Sequence, residues 1–330
     1  MEMLTGSNRD IARAAAALTK GALVAFPTET VYGLGGDAFN VTALARIFEV
    51  KDRPRFDPLI IHIADLDTLD RLVLWEALGK EAVEKFRLLS NHFWPGPLTL
   101  ILPKKKEVPD LATSGLGTAA IRFPDCDIAQ KLIRLSAGAV AAPSANPFGC
   151  LSPTRAEHVR SQLGEKVDFI IDGGRTSVGL ESTVLDIGCE PCCILRPGGL
   201  GREQIESLIG KVEIQSSAPG GDQGPAQISP GQLKSHYAPL TPLYLYPNGQ
   251  LAFLPESPDE GRLFFSAPEI MLSERSRVLS PGGDPTEAAA NFFDMLHDLD
   301  SMGLKAIRAE EAPPRFLGLA INDRLRRAAK

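Results

Sequence analysis

Apolar positions in the first two thirds of the 330-residue chain alternate between short continuous runs and longer stretches with a helical period. Residues 8–20 show the helical pattern, since Ile11, Ala14 and Leu18 fall on one face and Gly21 follows as a stop signal. Because such stretches alternate with strand-like runs and hairpin signals are few, the pattern predicts an α/β or mixed α+β sheet domain. Strands are predicted at 22–26, 59–63, 98–102, 119–122, 139–142, 168–171, 183–187 and 193–196. Further helices are predicted at 42–50, 128–136, 154–163 and 202–209, with one or two helices over 69–89.

A change in composition divides the chain. Residues 213–227 are rich in Gly, Pro, Ser and Gln and have almost nothing to bury, which is typical of a linker. We therefore predict a first domain over residues 1–211, a linker over 212–240 and a smaller C-terminal α/β domain over 241–330. In this second domain, strands are predicted at 243–246, 262–265 and 306–308, and helices at 285–299 and 316–329.

Charge and cysteine content limit the class of protein. The chain has 35 basic and 41 acidic residues, and both domains carry a small net negative charge, which argues against a general nucleic-acid coat. No apolar run approaches the roughly 18 residues of a membrane span, so we expect no membrane partner. Five cysteines and no signal-peptide pattern predict a reducing, cytoplasmic setting. The Cys189–Cys193 cluster lacks a second pair of ligands, which disfavours zinc.

Two short motifs point to anion binding. Lys51 and Arg53 are two residues apart, so on a loop both cations can point into one cleft, with the guanidinium acting as a planar fork for phosphate or carboxylate. Ser144 and Asn146 could add directional hydrogen bonds. Either motif alone could equally be a solvated pair or an ordinary turn.

Further polar side chains occur at predicted strand ends, where α/β folds bind their ligands. They include His62, Arg122 and Arg196, and they would suit a triphosphate and a carboxylate bound side by side. His62 could also be a hydrogen-bonded core residue. The segment 26–35 follows the first strand as a glycine-rich turn with hydroxyl groups, and its glycines match neither the dinucleotide-binding nor the P-loop pattern.

Taken together, these segments resemble the YrdC-like threonylcarbamoyl-AMP synthases in their longer form with a C-terminal extension domain. Besides the Lys-x-Arg and Ser-x-Asn pair, the motifs that carry the resemblance occur in the family's order. They are PTETVYGLG (27–35), PLIIHI (58–63), APSAN (142–146), ESTVLD (181–186), LRPG (195–198), SPG (229–231) and HYAP (236–239).

The resemblance implies a fold and a reaction. It implies a twisted mixed sheet flanked by helices, followed after a flexible linker by a smaller Rossmann-like α/β domain. Such enzymes condense L-threonine, bicarbonate and ATP, with Mg²⁺, into threonylcarbamoyl-AMP and pyrophosphate. A separate transferase complex then moves the threonylcarbamoyl group to the adenosine beside the tRNA anticodon, so direct binding of tRNA is expected to be weak.

The resemblance also implies site residues. Lys51 and Arg53 would be the catalytic cations, and residues 229–239 would fold over the nucleotide as a lid. Asp57 stands where many relatives have asparagine, and we expect its carboxylate to help hold Mg²⁺ or to turn outward; other metal ligands are not predicted. Threonine would contact Thr30, His62, Arg122, Ala142 and Ser182. ATP would contact Lys51, Arg53, Asp57, Thr118, Ser144, Asn146, Ser152, Arg196, His236 and Tyr237.

Two other functions stay open at this stage. A carbamoyltransferase could use the same domain on carbamoyl phosphate, although such proteins carry further domains with repeated zinc-binding cysteines that this chain lacks. An RNA-binding or ribosome-associated module could place duplex RNA in a basic concavity. The net negative charge and the absence of aromatic residues interleaved with basic ones argue against the second alternative.

Overall fold

A computed structural model of the chain describes residues 1–215 and 237–330. The strands are β1 (Glu2–Thr5), β2 (Val24–Phe26), β3 (Gly33–Asp37), β4 (Ile60–Ile63), β5 (Leu98–Pro103), β6 (Thr118–Arg122), β7 (Ala139–Ala141), β8 (Phe169–Asp172), β9 (Thr183–Asp186), β10 (Cys193–Arg196), β11 (Glu213–Ile214), β12 (Leu243–Tyr246), β13 (Glu260–Phe264), β14 (Ser276–Val278) and β15 (Ala306–Glu310). The α-helices are α1 (Asn8–Leu18), α2 (Val41–Lys51), α3 (Leu69–Leu72), α4 (Lys80–Phe93), α5 (Asp110–Thr113), α6 (Asp127–Leu135), α7 (Ala156–Leu163), α8 (Arg202–Ile209), α9 (Pro285–Asp300) and α10 (Gly318–Ala328).

The first domain is built on an 11-stranded mixed sheet in the order β1-β8-β2-β3-β7-β4-β6-β5-β9-β10-β11. The sheet contains both parallel and antiparallel pairs; β4 runs parallel to β6 and antiparallel to β7. The predicted mixed α/β sheet is therefore confirmed. Strand β11 pairs with β10, so this sheet continues to Ile214, beyond the predicted domain boundary at residue 211.

The helices begin and end where the sequence supplies caps. Helix α1 begins after Ser7, whose hydroxyl accepts a hydrogen bond from the Asp10 amide at 3.2 Å. Its apolar face, with Ile11 and Leu18, is fully buried against the sheet. Helix α2 ends at Lys51 because Asp52 adopts a left-handed conformation (φ 52°), and this turn directs Arg53 back toward the protein.

Residues 33–37, which the sequence analysis took for part of a glycine-rich turn, form strand β3. A Cβ atom at Gly35 would lie 2.7 Å from the Phe26 ring and 2.8 Å from a Val140 methyl. Glycine is needed there because neighbouring side chains fill the space above the strand. Strands β1, β11 and β14 and helix α5 were also not predicted, and the stretch 69–89 contains α3 and the start of α4 as separate helices.

The second domain is a parallel four-stranded sheet in the order β12-β15-β13-β14, with helices α9 and α10. An all-parallel sheet with crossover helices agrees with the predicted Rossmann-like unit. None of the helices in the two described stretches is long and apolar enough to cross a membrane.

The two domains share a packed interface. Leu151 and Leu180 of the first domain belong to the same apolar cluster as Phe292 and Phe293 of α9. At the edge of this interface, Arg155 Nε pairs with Asp294 Oδ1 at 2.6 Å. The interface brings the second domain beside the carboxyl end of β10, where Arg324 of α10 donates to the Pro197 backbone oxygen.

Candidate active site

A cleft lies at the ends of the central strands and extends to Tyr237, where the described chain resumes. All five residues predicted to contact threonine line it, together with four of those predicted for ATP. These residues are Thr30, His62, Arg122, Ala142 and Ser182 for threonine, and Arg53, Ser144, Arg196 and Tyr237 for ATP. Distant parts of the sequence therefore converge on one concave surface, as expected for a two-substrate site.

Lys51 lies behind the cleft. Its ammonium group is buried and donates hydrogen bonds to the backbone oxygens of Ser144, at 2.7 Å, and of Asn146. Asn146 Nδ2 in turn donates to the backbone oxygens of Pro147 and Cys150, both at 2.9 Å. Burial, and then the nearby Arg53 charge, lowers the pKa of Lys51 well below its usual value. Lys51 thus fixes the Ser-x-Asn segment, a role that the sequence pattern did not indicate.

Arg53 and Asp57 form a buried ion pair at one wall of the cleft. Arg53 Nη2 lies 2.9 Å from Asp57 Oδ2, and the guanidinium also donates to the backbone oxygens of Asp57, at 3.0 Å, and Pro58, at 2.7 Å. Burial lowers the pKa of Arg53. Asp57 does not line the cleft, since its carboxylate faces the guanidinium. Asp57 therefore orients Arg53, whereas the sequence led us to expect that its carboxylate would help hold Mg²⁺ or turn outward.

Arg122 also lines the cleft, beside a carboxylate that the sequence analysis did not single out. Arg122 Nη2 lies 2.7 Å from Glu29 Oε1, and both side chains are buried. His62 and Arg122 are register partners in the parallel pair of β4 and β6, so their side chains lie next to each other on the same face. A guanidinium and an imidazole at this edge can receive the carboxylate of an amino acid.

Ser182 and Arg196 both line the cleft and are hydrogen-bonded to each other. Arg196 donates to the backbone oxygen of Ser182 through Nε (3.2 Å) and Nη2 (2.8 Å), and Nη2 also reaches the Ser182 hydroxyl at 3.2 Å. The Ser182 hydroxyl lies 2.7 Å from the Thr99 hydroxyl. Ser182, which was predicted to contact threonine, and Arg196, which was predicted to contact ATP, are therefore joined directly by hydrogen bonds.

Two further predicted ATP residues, Ser152 and Thr118, do not line the cleft. Ser152 is buried behind the cleft and donates to the Glu181 carboxylate. Thr118 begins β6 whereas Arg122 ends it, so the two are roughly 13 Å apart at about 3.3 Å per residue. Thr118 instead lines a separate groove with Lys85 and Asp186, so the structure does not bring it to the cleft. His236 lies outside the described residues, as does most of the predicted lid.

Sequence reasoning also missed Glu181 and Arg324. Glu181 lines the cleft, and Arg324 on α10 pairs with its Oε2 at 3.0 Å. Burial would raise the pKa of Glu181, but the charges of Arg324 and Arg196 hold it below its usual value. Glu181 could have been noticed as the first residue of its motif. Arg324 belongs to a basic stretch that resembles an exposed helix face, so the local sequence carries no signal for it.

Two family models match almost the whole chain. One, for Sua5, YciO and YrdC and described as telomere recombination, matches residues 16–198; the other, the threonylcarbamoyl-AMP synthase C-terminal domain, matches residues 200–330. A threonylcarbamoyl-AMP synthase from Pyrococcus abyssi is 42% identical over 323 residues, which cover 96% of this chain and 93% of the relative. Its counterpart from Bacillus subtilis is 41% identical over 341 residues, which cover 99% and 94%.

The chain belongs to the threonylcarbamoyl-AMP synthase family.

A solved structure of a family member supports the same conclusion. The crystal structure of P. abyssi Sua5 complexed with L-threonine superposes on this chain with a TM-score of 0.89 at 39% identity, covering 100% of this chain and 98% of the other. The predicted family and two-domain α/β architecture are thereby confirmed, and so is the assignment to an adenylyl-transferring enzyme family.

His62 is buried in β4, and its environment opposes protonation. Burial, and then the Arg122 charge, lowers its pKa from 6.5 to about 3. The unfolded chain therefore binds a proton at His62 as the pH falls below 6.5, whereas the folded enzyme does not until about pH 3. His62 thus contributes stability that is present above pH 6.5 and is lost as the pH falls toward 3.

We expect His62→Asn to remove this pH dependence. The unfolding free energy of the wild type minus that of the variant should fall by about 2 kcal/mol between pH 7 and pH 5, because one pKa unit corresponds to about 1.4 kcal/mol. Urea titrations at both pH values measure this difference. His92→Asn, on the exposed face of α4, controls for the loss of an imidazole as such. A pH-independent difference would contradict the assignment.

Proposed function

We propose that this family member condenses L-threonine, bicarbonate and ATP into threonylcarbamoyl-AMP and pyrophosphate. The observation that carries the proposal is the convergence on one cleft of Arg122 and His62 with Arg53 and Arg196. The first pair suits an amino-acid carboxylate and the second pair suits phosphates. The family membership and the threonine complex of the P. abyssi relative support the same assignment.

The reaction needs two anions held in line. Threonine and bicarbonate combine, with loss of water, into threonine carbamate. A carbamate oxygen then attacks the α-phosphorus of ATP, the bond from that phosphorus to the bridging oxygen breaks, and pyrophosphate leaves with the electron pair. Arg122 would bind the threonine carboxylate, while Arg53 and Arg196 would stabilise charge on the phosphate oxygens. No covalent enzyme intermediate is required.

Two arginines of the cleft are held in place by buried carboxylates, which suits the binding of two anions. Asp57 holds Arg53 and Glu29 holds Arg122, each by an ion pair shorter than 3 Å. A guanidinium fixed in this way needs little rearrangement when charge builds up in the transition state. The pairing also leaves the cleft nearly neutral before substrates enter, so the free enzyme avoids the cost of several uncompensated buried charges.

We propose that Mg²⁺ enters with ATP. Within residues 1–215 and 237–330 no group of three or more His, Cys, Asp or Glu side chains could hold a metal ion, and Asp57 and Glu29 are engaged by arginines. The described residues therefore do not fit a resident metal site. Magnesium commonly keeps several waters and binds through substrate phosphates, where it neutralises part of their charge.

The product must be used elsewhere. Threonylcarbamoyl-AMP is a mixed anhydride that reacts readily with an amine, and we propose that a separate transferase complex passes its acyl group to tRNA adenosine. The cleft is a concave pocket lined by residues from several strand ends, which suits small-molecule substrates better than an RNA duplex and favours the synthase over an RNA-binding module.

Purified protein is expected to release pyrophosphate from ATP only when threonine and bicarbonate are both present, without added tRNA. Pyrophosphate release and the mass of the nucleotide product measure this reaction. Valine in place of threonine and buffer freed of carbon dioxide serve as controls. Equal release without threonine would refute the synthase assignment, and turnover of carbamoyl phosphate would favour the carbamoyltransferase alternative.

A further inference from the structure

One guanidinium of the second domain reaches the wall of the cleft. Arg324 on α10 is completely buried. Its Nε and Nη2 donate to Glu181 Oε2 at 3.1 and 3.0 Å, and its Nη1 donates to the backbone oxygen of Pro197. A completely buried arginine with this many partners belongs to the interior of the assembled protein and is unlike a surface arginine.

The two partners of Arg324 are sequence neighbours of two site residues. Glu181 precedes Ser182, and Pro197 follows Arg196. Their backbones are in close contact, because a Cβ atom at Gly198 would lie 2.3 Å from the Glu181 oxygen. The Gly199 amide donates to the same oxygen at 2.9 Å. Arg324 therefore bonds to both sides of the junction that holds Ser182 against Arg196.

Arg324 also contacts the residue with which the described chain resumes after the linker. Its Cζ atom lies 5.2 Å from the centre of the Tyr237 ring, within the range of a cation–π contact. Tyr237 is buried and has a left-handed backbone (φ 63°), a conformation that a non-glycine residue keeps only when its surroundings fix it. The Ala238 amide then bonds the Gly149 oxygen at 2.8 Å.

The Glu181 carboxylate links these contacts to Ser152 behind the cleft. Its Oε2 receives Arg324, while its Oε1 receives the Ser152 hydroxyl. Burial alone would lower the pKa of Arg324. The nearby Tyr237 and Glu181 raise it instead, so the guanidinium stays charged. Ser152, Arg196 and Tyr237, all predicted to contact ATP, are thus held by one network centred on Arg324 and Glu181.

We propose that Arg324 is a positioning residue through which the second domain holds the nucleotide half of the cleft in place. It acts on substrate only through Glu181, Pro197 and Tyr237. The C-terminal domain accordingly supplies part of the architecture of the site besides anchoring the linker. The kinetic consequence rests on the proposed function, whereas the structural consequence does not.

The test uses the full chain and four variants. Arg324→Met removes the guanidinium, and Arg324→Lys keeps the charge without the fork. Because Arg324→Met leaves Glu181 buried and unpaired and could prevent folding, the double variant Glu181→Gln with Arg324→Met restores neutrality. Arg155→Met is the matched control, since it breaks the interdomain pair with Asp294 and Arg155 does not line the cleft.

Hydrogen exchange without substrates is the first measurement. We expect amides in residues 181–182 and 197–200 to exchange at least about tenfold faster in Arg324→Met and in the double variant, with little change in Arg155→Met. The KM for ATP should rise about tenfold or more and the KM for threonine less, with partial recovery in Arg324→Lys.

Unchanged exchange and an unchanged KM for ATP in the folded double variant would overturn the proposal. Equal effects in Arg155→Met would also overturn it, because domain docking in general would then be the cause. If the wild type releases no pyrophosphate with threonine and bicarbonate, the proposed function fails, and the exchange measurement still decides the role of Arg324.

Discussion

Replacing Arg53 with methionine is expected to lower the rate of pyrophosphate release about 100-fold or more. Arg53 lines the cleft and is aimed by the Asp57 carboxylate and two backbone oxygens, so it is available where charge develops on the phosphates. Removal of one preorganised donor to such charge commonly costs about 100- to 1,000-fold in kcat. Steady-state pyrophosphate release at saturating substrates measures the effect.

The partner of Arg53 provides the control. The single variant leaves Asp57 as an uncompensated buried carboxylate, which costs about 3–5 kcal/mol of stability. Arg53→Met with Asp57→Asn should recover much of that stability without recovering the rate. Asp57→Asn alone keeps Arg53 and its two backbone bonds, so its rate should stay within about tenfold of the wild type. Wild-type turnover by the folded double variant would exclude Arg53 from the chemistry.

Replacing Arg122 with glutamine is expected to raise the dissociation constant for threonine about 100-fold or more. A guanidinium that binds a carboxylate through two charge-assisted hydrogen bonds is worth about 1.5–3 kcal/mol per bond, and about 1.4 kcal/mol corresponds to tenfold. Titration calorimetry with threonine measures this loss directly. Binding of a non-hydrolysable ATP analogue should change little, since we assign Arg122 to threonine and Arg53 and Arg196 to the phosphates.

Charge balance matters for this variant too. Arg122→Gln leaves Glu29 buried without its partner, so Glu29→Gln with Arg122→Gln is the variant to compare. Arg134→Gln, on the outer face of α6, removes an arginine that bonds only the Ala64 backbone and the Gln130 side chain and should bind threonine normally. If the folded double variant binds threonine as tightly as the wild type, the carboxylate is held elsewhere.

Much of the fold could be predicted because buried strands appear as continuous apolar runs. Strand β4 (Ile60–Ile63) is buried along its whole length and was predicted to within one residue. Strands without an apolar run were missed: β3 contains mostly glycine, and β1 at the sheet edge exposes three of its four residues. For these strands, tertiary packing outweighs local propensity.

The only part of the site that the sequence could predict is the set of side chains that lie at the ends of strands. His62 and Arg122 come together because they end neighbouring parallel strands, and the sequence indicates such an arrangement. The ion-pair partners could not be predicted, because no periodicity shows that Asp57 faces Arg53 or that Glu29 faces Arg122. Lys51 was expected to point into the cleft beside Arg53; its burial behind the cleft depends on two carbonyl groups that only the folded chain presents.

Arg324 and Glu181 are 143 residues apart along the chain. At a translation rate of about 5–20 residues per second, Glu181 is synthesised roughly 7 to 30 s before the arginine that holds it. During this interval the first domain can fold on the ribosome, since its sheet needs no strand from the second domain. A nascent chain can therefore acquire the architecture of its first domain before the arginine that we propose as the positioning residue of its nucleotide site has been synthesised.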